Sequence, residues 1–220
     1  ACIINTKLKN EYYISINGVF KKRDDSLINK KVFLGDSEIE VTNLTVINES
    51  KTLPFQIENE IDTDENIRLK YRYLDLRREP MKINIMTRSN TFKSIRSIMN
   101  KLNIYEIDTP TLIKSTPEGA KDFLVPSRKS PGSFYALPQS PQMYKQLFMM
   151  SGFPKYYQIA KCYRDEDSRK DRQPEFTQLD LEFSDANPSV VKSNIETIIK
   201  FVFSDAYDCK VNTPFKSLSY

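Results

Sequence analysis

YRDEDSRKDRQPEFTQLDLEF, residues Tyr163 to Phe183, alternates at strand spacing on either side of a charged connection. Successive side chains of a strand point to opposite faces. Arg164 and Glu166 therefore share one face of a first strand, and Phe176, Gln178, Asp180 and Glu182 share one face of a second. Thr177, Leu179, Leu181 and Phe183 take the opposite face. A hairpin with one largely apolar face, and another bearing an arginine, carboxylates and an aromatic ring, suits a pocket for a phosphate, a flat base and an amino group. The run DSRKDR is longer and more charged than a tight turn needs. The plainer reading of the same pattern is a solvated amphipathic hairpin.

Composition narrows the chemistry around this hairpin. The 220 residues contain no histidine. That removes Ser-His-Asp and Cys-His catalysis and histidine-ligated metals for the residues shown, and leaves arginine, lysine and carboxylates to act. Cys2, Cys162 and Cys209 are widely spaced and form no C-x-x-C, so neither a disulfide framework nor a thiolate zinc site is expected. With 39% hydrophobic and 28% charged residues the chain has an ordinary globular composition. No apolar run approaches the ~18 residues of a membrane span, and the N-terminus lacks the pattern of a signal peptide. The expectation is a cytoplasmic protein without a membrane partner. A net charge of +4 points weakly to an anionic partner such as nucleic acid. Only 5 glycines are present, and no glycine-rich phosphate loop is found, so a bound nucleotide must be held by side chains.

Along the chain, residues 11–20 and 38–48 alternate as strands. Residues 53–79 read as a hinge running into a short helix with Leu69, Tyr73 and Leu76 as its apolar positions. A long amphipathic helix is predicted from Pro80, with Ile85, Phe92, Ile95, Met99 and Leu102 as its stripe and Asn103 as its stop. Tyr105 to Asp108 read as a strand, a second helix begins near Pro141, and a last helix covers 188–207 with Asn187 as cap and Ile195, Ile198, Ile199 and Val202 buried. Half-polar strands interleaved with helices predict an α+β fold, an antiparallel sheet flanked by helices, over a doubly wound parallel sheet.

Several stretches then resemble one family. RLKYRYLDLRR at 68–78, YEIDTPTL at 105–112, STPEGAKDFLVPSR at 115–128, FYALPQSPQMYKQL at 134–147 and YRDED with RQPEFTQLDLE in 163–182 are similar to class II aminoacyl-tRNA synthetases, specifically to the bacterial type of aspartyl-tRNA synthetase. The resemblance covers residues 11 to 185, and DFLVPSR and QSPQ-x-Y-K-Q are its most specific parts. It implies ATP-dependent attachment of L-aspartate to tRNA(Asp) through an aspartyl-adenylate. It also implies that Arg164 grips the α-phosphate of ATP and the reacting carboxylate, that Phe176 stacks on adenine, that Arg172 reaches the far phosphates, and that Glu166 lies on the nucleotide side. Ser140, Gln142 and Lys145 would carry the amino-acid end, with the Lys145 ammonium on the substrate's side-chain carboxylate. Gln178 and Asp180 would hold its α-ammonium group, and Glu118 would lie in a loop that closes over aspartate.

By the same resemblance magnesium bridges the ATP phosphates, with its main carboxylate ligands C-terminal to Tyr220, so no residue here is assigned to a metal. Residues 1–57 look like the closing part of an OB-fold anticodon-binding barrel, 58–79 like the hinge, and 80–220 like part of the catalytic domain, with motifs 1 and 2 but not the glycine-rich motif 3. That division implies a fragment, inactive alone. Motif 1 implies a homodimer with Pro110 at its interface. The competing readings are an asparaginyl- or lysyl-type synthetase, a paralogue making an amide from activated aspartate, and a non-catalytic OB-fold nucleic-acid-binding module. Lys145 argues against an asparagine or lysine substrate, because its ammonium would face an amide or a second ammonium.

Overall fold

The computed structural model describes residues 8–30, 32–116 and 119–218. The chain divides into two compact units, one through Glu79 and one from Pro80.

In the first unit β1 (Tyr13–Lys22) and β2 (Ser37–Asn48) form an antiparallel pair, joined through a short 3₁₀ turn at Asp25–Leu27. The register slips between Asn17 and Gly18, and a Cβ at Gly18 would run into the Glu40 carbonyl of the facing strand. Only glycine permits that approach. The segment after β2 leads into α1 (Glu65–Lys70) and α2 (Arg72–Asp75). The Asp64 carboxylate caps α1 by accepting the Asn66 N–H. Here the structure departs from the sequence reading. Leu69, Tyr73 and Leu76 are exposed, whereas Leu74 and Asp75 are buried. The helix breaks at Tyr71 (φ −108°, ψ 45°), so its facing resets and a continuous 3.6-residue count across the break picks the wrong residues.

The second unit opens with α3 (Glu79–Lys101), whose chain reverses at Asn103 in the left-handed region (φ 51°). Asparagine tolerates that conformation, and the Ile104 N–H closes the end by donating to the Met99 carbonyl. The core joins α3 and α5 (Pro188–Tyr207) to one face of a hairpin: Ile95, Ile98, Met99, Ile104, Ile198 and Val202 bury against Tyr157, with Ile159, Leu179, Leu181 and Phe183 packed on them. Burying each such side chain fully contributes about 1.5–3 kcal/mol. Ile85, expected in this stripe, is exposed because the core reaches only the second half of α3, and Ile98, which the stripe omitted, is buried.

That hairpin is the central feature. β3 (Tyr105–Glu106), β6 (Lys155–Tyr163) and β7 (Glu175–Phe183) form one sheet in the order β3-β6-β7, while β4 (Leu124–Pro126) and β5 (Phe134–Ala136) form a small antiparallel pair. β6 and β7 are antiparallel with Cys162 opposite Phe176, Ala160 opposite Gln178, and Gln158 opposite Asp180. β3 is shorter than the predicted strand and runs parallel to β6. The connection holding β4, β5 and α4 (Gln142–Met150) is long enough for the crossover a parallel pair requires. α4 lies on the side of the sheet opposite α3 and α5, where Phe148 meets Tyr156 with ring centroids 5.5 Å apart.

Candidate active site

The face of β7 turned away from the core carries Phe176, Gln178, Asp180 and Glu182, as alternation requires. β6 supplies the floor beside them. Cys162 is fully buried and its thiol donates to Gln178 Oε1 at 3.2 Å. Tyr156 and Thr109 hydroxyls donate to Gln158 Oε1 at 2.6 and 3.0 Å. Burial pushes the Tyr156 phenol well above its ordinary value, with Asp180 and Asp108 adding to the effect, so it stays a neutral donor.

α4 delivers the cation. Lys145 Nζ donates to Asp180 Oδ1 at 2.7 Å and lies 3.3 Å from Glu182 Oε2. Burial alone would lower the Lys145 pKa, but its hydrogen bonds and attraction to Asp180 and Glu182 outweigh that and raise it. An ammonium has three donors. Two are engaged among the described residues, and a third can serve an incoming acceptor. At the start of the same helix Ser140 Oγ accepts the Gln142 N–H at 3.4 Å, so Ser140, Gln142 and Lys145 sit on one turn and a half.

At the other end, the Arg164 guanidinium stands 5.1 Å from the Phe176 ring centroid, a cation–π contact. The strand reading of Arg164 and Glu166 is corrected by the structure. β6 ends at Tyr163, opposite Glu175, and both residues lie in the connection. The chain is nevertheless held there, because the Arg164 N–H donates to the Pro174 carbonyl at 2.9 Å and the Asp165 N–H to the Lys121 carbonyl at 3.0 Å. Arg172 Nη1 is 3.6 Å from Glu166 Oε2. A cleft of about 490 Å³ between Gly119–Lys121 and the charged connection is lined by Glu166, Arg169 and Arg172. The structure thus brings Lys145, Gln178 and Asp180 together at one end, and Arg164, Glu166, Arg172 and Phe176 at the other. Glu118 lies outside the described residues. Pro110 is exposed and follows Thr109, beyond β3.

Glu182, placed by alternation on the same face as Asp180 but given no role from the sequence, is a second carboxylate on Lys145. Gln139, the first residue of the QSPQ run, is buried, and it has no role legible in the sequence because its partners Ala120 and Asp122 are distant along the chain. Among the described residues no cluster of three or more Asp, Glu, Cys or His could hold a metal ion, and no helix is long and apolar enough to cross a membrane.

Comparison with known proteins identifies the family. A curated aspartate–tRNA ligase of Macrococcus caseolyticus is 49% identical over 220 residues, covering 100% of this chain and 37% of its own length. An aspartate–tRNA(Asp/Asn) ligase of Treponema denticola is 50% identical over 213 residues, covering 97% of this chain and 36% of its own. The chain thus spans little more than a third of the curated relatives it matches. A crystal structure of a putative aspartyl-tRNA synthetase from Leishmania major superposes with a TM-score of 0.76 over 92% of this chain and 39% of that one; at 22% identity this speaks for the fold. The family described as tRNA synthetases class II (D, K and N) matches residues 64–220, and with that match spanning both ends of the site the chain belongs to the class II tRNA synthetases.

Proposed function

We propose that the chain forms the amino-acid end and one side of the ATP site of an aspartate–tRNA ligase. The observation that carries this reading is the Lys145–Asp180–Glu182 cluster on the sheet face that also carries Phe176, with Arg164 standing over that ring from the connection. A zwitterionic amino acid with a side-chain carboxylate fits it: that carboxylate takes the third donor of Lys145, and the α-ammonium is received by Asp180 and Gln178. Ser140 and Gln142, at the start of α4, line the same end. The α-carboxylate then faces Arg164. Phe176 offers a ring face to adenine, Arg172 reaches the outer phosphates, and Glu166 stands on the nucleotide side.

In the reaction so proposed, an oxygen of the α-carboxylate attacks the α-phosphorus of ATP. Pyrophosphate leaves, and the resulting mixed anhydride passes its acyl group to a ribose hydroxyl at the end of tRNA(Asp), releasing AMP. Such displacement rests on positioning and charge neutralisation, which arginine and lysine supply without histidine. Magnesium neutralises the phosphates when bound, but the described residues gather no carboxylate cluster suited to caging it, and no ligand in this chain is assigned to it. The reading extends to a cytoplasmic translation enzyme acting as a homodimer, with residues 1–57 closing an OB-fold domain that binds tRNA and 58–79 as a hinge.

The test is amino-acid-dependent exchange of pyrophosphate into ATP by the complete gene product. Aspartate should support it and asparagine and lysine should not; exchange driven equally by asparagine overturns the assignment.

A further inference from the structure

The buried side chain beneath the site does something the substrate-facing residues cannot. Gln139 is 2% exposed, and its amide is fully engaged. Its Nε2 donates to the Ala120 carbonyl at 2.8 Å and to Asp122 Oδ1 at 2.6 Å, while its Oε1 accepts the Ala120 N–H at 3.2 Å. Turning the amide over would set NH₂ against N–H and oxygen against two acceptors, so only one orientation is tolerated. The second Asp122 oxygen accepts Ser115 Oγ at 2.6 Å, which ties residue 115 to the same point.

Segments leading to both ends of the site meet here. Pro138, just before Gln139, accepts the Tyr163 N–H at 2.9 Å, where β6 ends. Ser140, just after it, starts the turn that leads to Gln142 and Lys145. Between the Ala120 backbone and the Asp122 carboxylate that Gln139 grips, the Lys121 carbonyl accepts the N–H of Asp165, which lies between Arg164 and Glu166. A continuous set of bonds therefore runs from the lysine end to the arginine end, and Gln139 is its buried link.

We propose that Gln139 is a positioning residue that fixes the amino-acid end of the site relative to the nucleotide end. It touches no reactant itself. The inference rests on the aspartate–tRNA ligase reading, because it concerns the distance between the two reactants that reading names. In-line attack is sensitive to displacements of about 1 Å, so loosening this link should cost rate as well as affinity.

The test is Gln139→Ala in the complete gene product, with active sites counted by the burst of adenylate formation and kinetics expressed per counted site. Aspartate KM should rise about tenfold and kcat per site fall about tenfold, with ATP KM within twofold of wild type. A merely structural glutamine would reduce the number of active sites and leave KM and kcat per site unchanged, and that result overturns the proposal. If Gln139→Ala does not fold, Asp122→Ala decides, since this half-exposed carboxylate is the clasp of the same link and its loss should raise aspartate KM severalfold; unchanged kinetics in that variant also overturn it. A wild-type protein without aspartate-dependent exchange overturns the function reading and this inference together, whereas a normal wild type with unaltered variants sinks this inference alone.

Discussion

Lys145 sits between two carboxylates, and that arrangement makes its role measurable. Replacing it with alanine removes a charge-assisted donor and leaves Asp180 and Glu182 to repel an incoming carboxylate. Loss of a hydrogen bond to a charged group costs about 1.5–3 kcal/mol, so aspartate KM should rise about 10- to 100-fold while discrimination against asparagine weakens. Steady-state exchange kinetics with both amino acids check this, and an unchanged aspartate KM rules the assignment out. In the proposed site Arg164 serves the other reactant, so Arg164→Ala, losing a preorganised donor at the developing phosphorane, should lower kcat for exchange by about 100-fold or more, roughly 3 kcal/mol. The faces of β7 were legible in the sequence because alternation depends only on parity. The place of Arg164 was not, because it depends on where β6 stops, and that register is set by pairing of Tyr163 with Glu175 rather than by local spacing.

Among the elements, α5 was the most legible, since its determinants are all local. Asn187 Oδ1 accepts the Val190 N–H at 3.0 Å, Pro188 occupies the first turn, and the chain leaves the helix at Asp208 with φ 48°. Asn187→Ala should destabilise the protein by about 1 kcal/mol, read as a lower denaturant midpoint with an unchanged slope. The segment 65–78 was less legible because its organising residue is a charge. Asp75 is fully buried, paired to Arg78 Nη1 at 2.8 Å and to Arg72, with Arg68 at 3.9 Å, while Arg78 also donates to the Glu58 and Asn59 carbonyls. A hydrophobic count cannot find an aspartate core. Burial would raise the Asp75 pKa, but the Arg78 hydrogen bond and the charges of Arg72, Arg78 and Arg68 outweigh it and lower the value. A folded pKa below the unfolded value of about 3.9 means that the stabilisation is present in full at neutral pH and is lost as pH falls through the folded value. Asp75→Asn, which leaves Arg78 short of its charge partner, should cost about 3 kcal/mol at pH 7 and flatten the acid limb of the stability profile. Urea denaturation of both proteins between pH 3 and 7 provides the comparison, and parallel acid limbs would exclude Asp75 as their origin.

At the scale of the whole molecule, the homodimer we propose would use surface left over after the core is built. α3 spends its second half on the core, while Ile83, Ile85 and Met86 in its first half are exposed. Beyond β3, at the edge of the three-stranded sheet, the chain runs to the exposed Pro110, which has no N–H to extend that edge. An exposed apolar helix face is the kind of surface a two-fold interface covers, and a stable one buries about 1,000 Å² or more. The sequence could not separate this stripe from the core, because both read as apolar residues at helical spacing; only the packing of α5 against Ile95, Ile98 and Met99 tells them apart. The complete gene product should run as a dimer by light scattering at micromolar concentration. Ile83→Asp with Met86→Asp should shift it toward monomer without unfolding it, since neither side chain supports the α3–α5 core. A wild type that is monomeric under those conditions removes Pro110 from any interface, and a double variant that stays dimeric moves the interface off this face of α3.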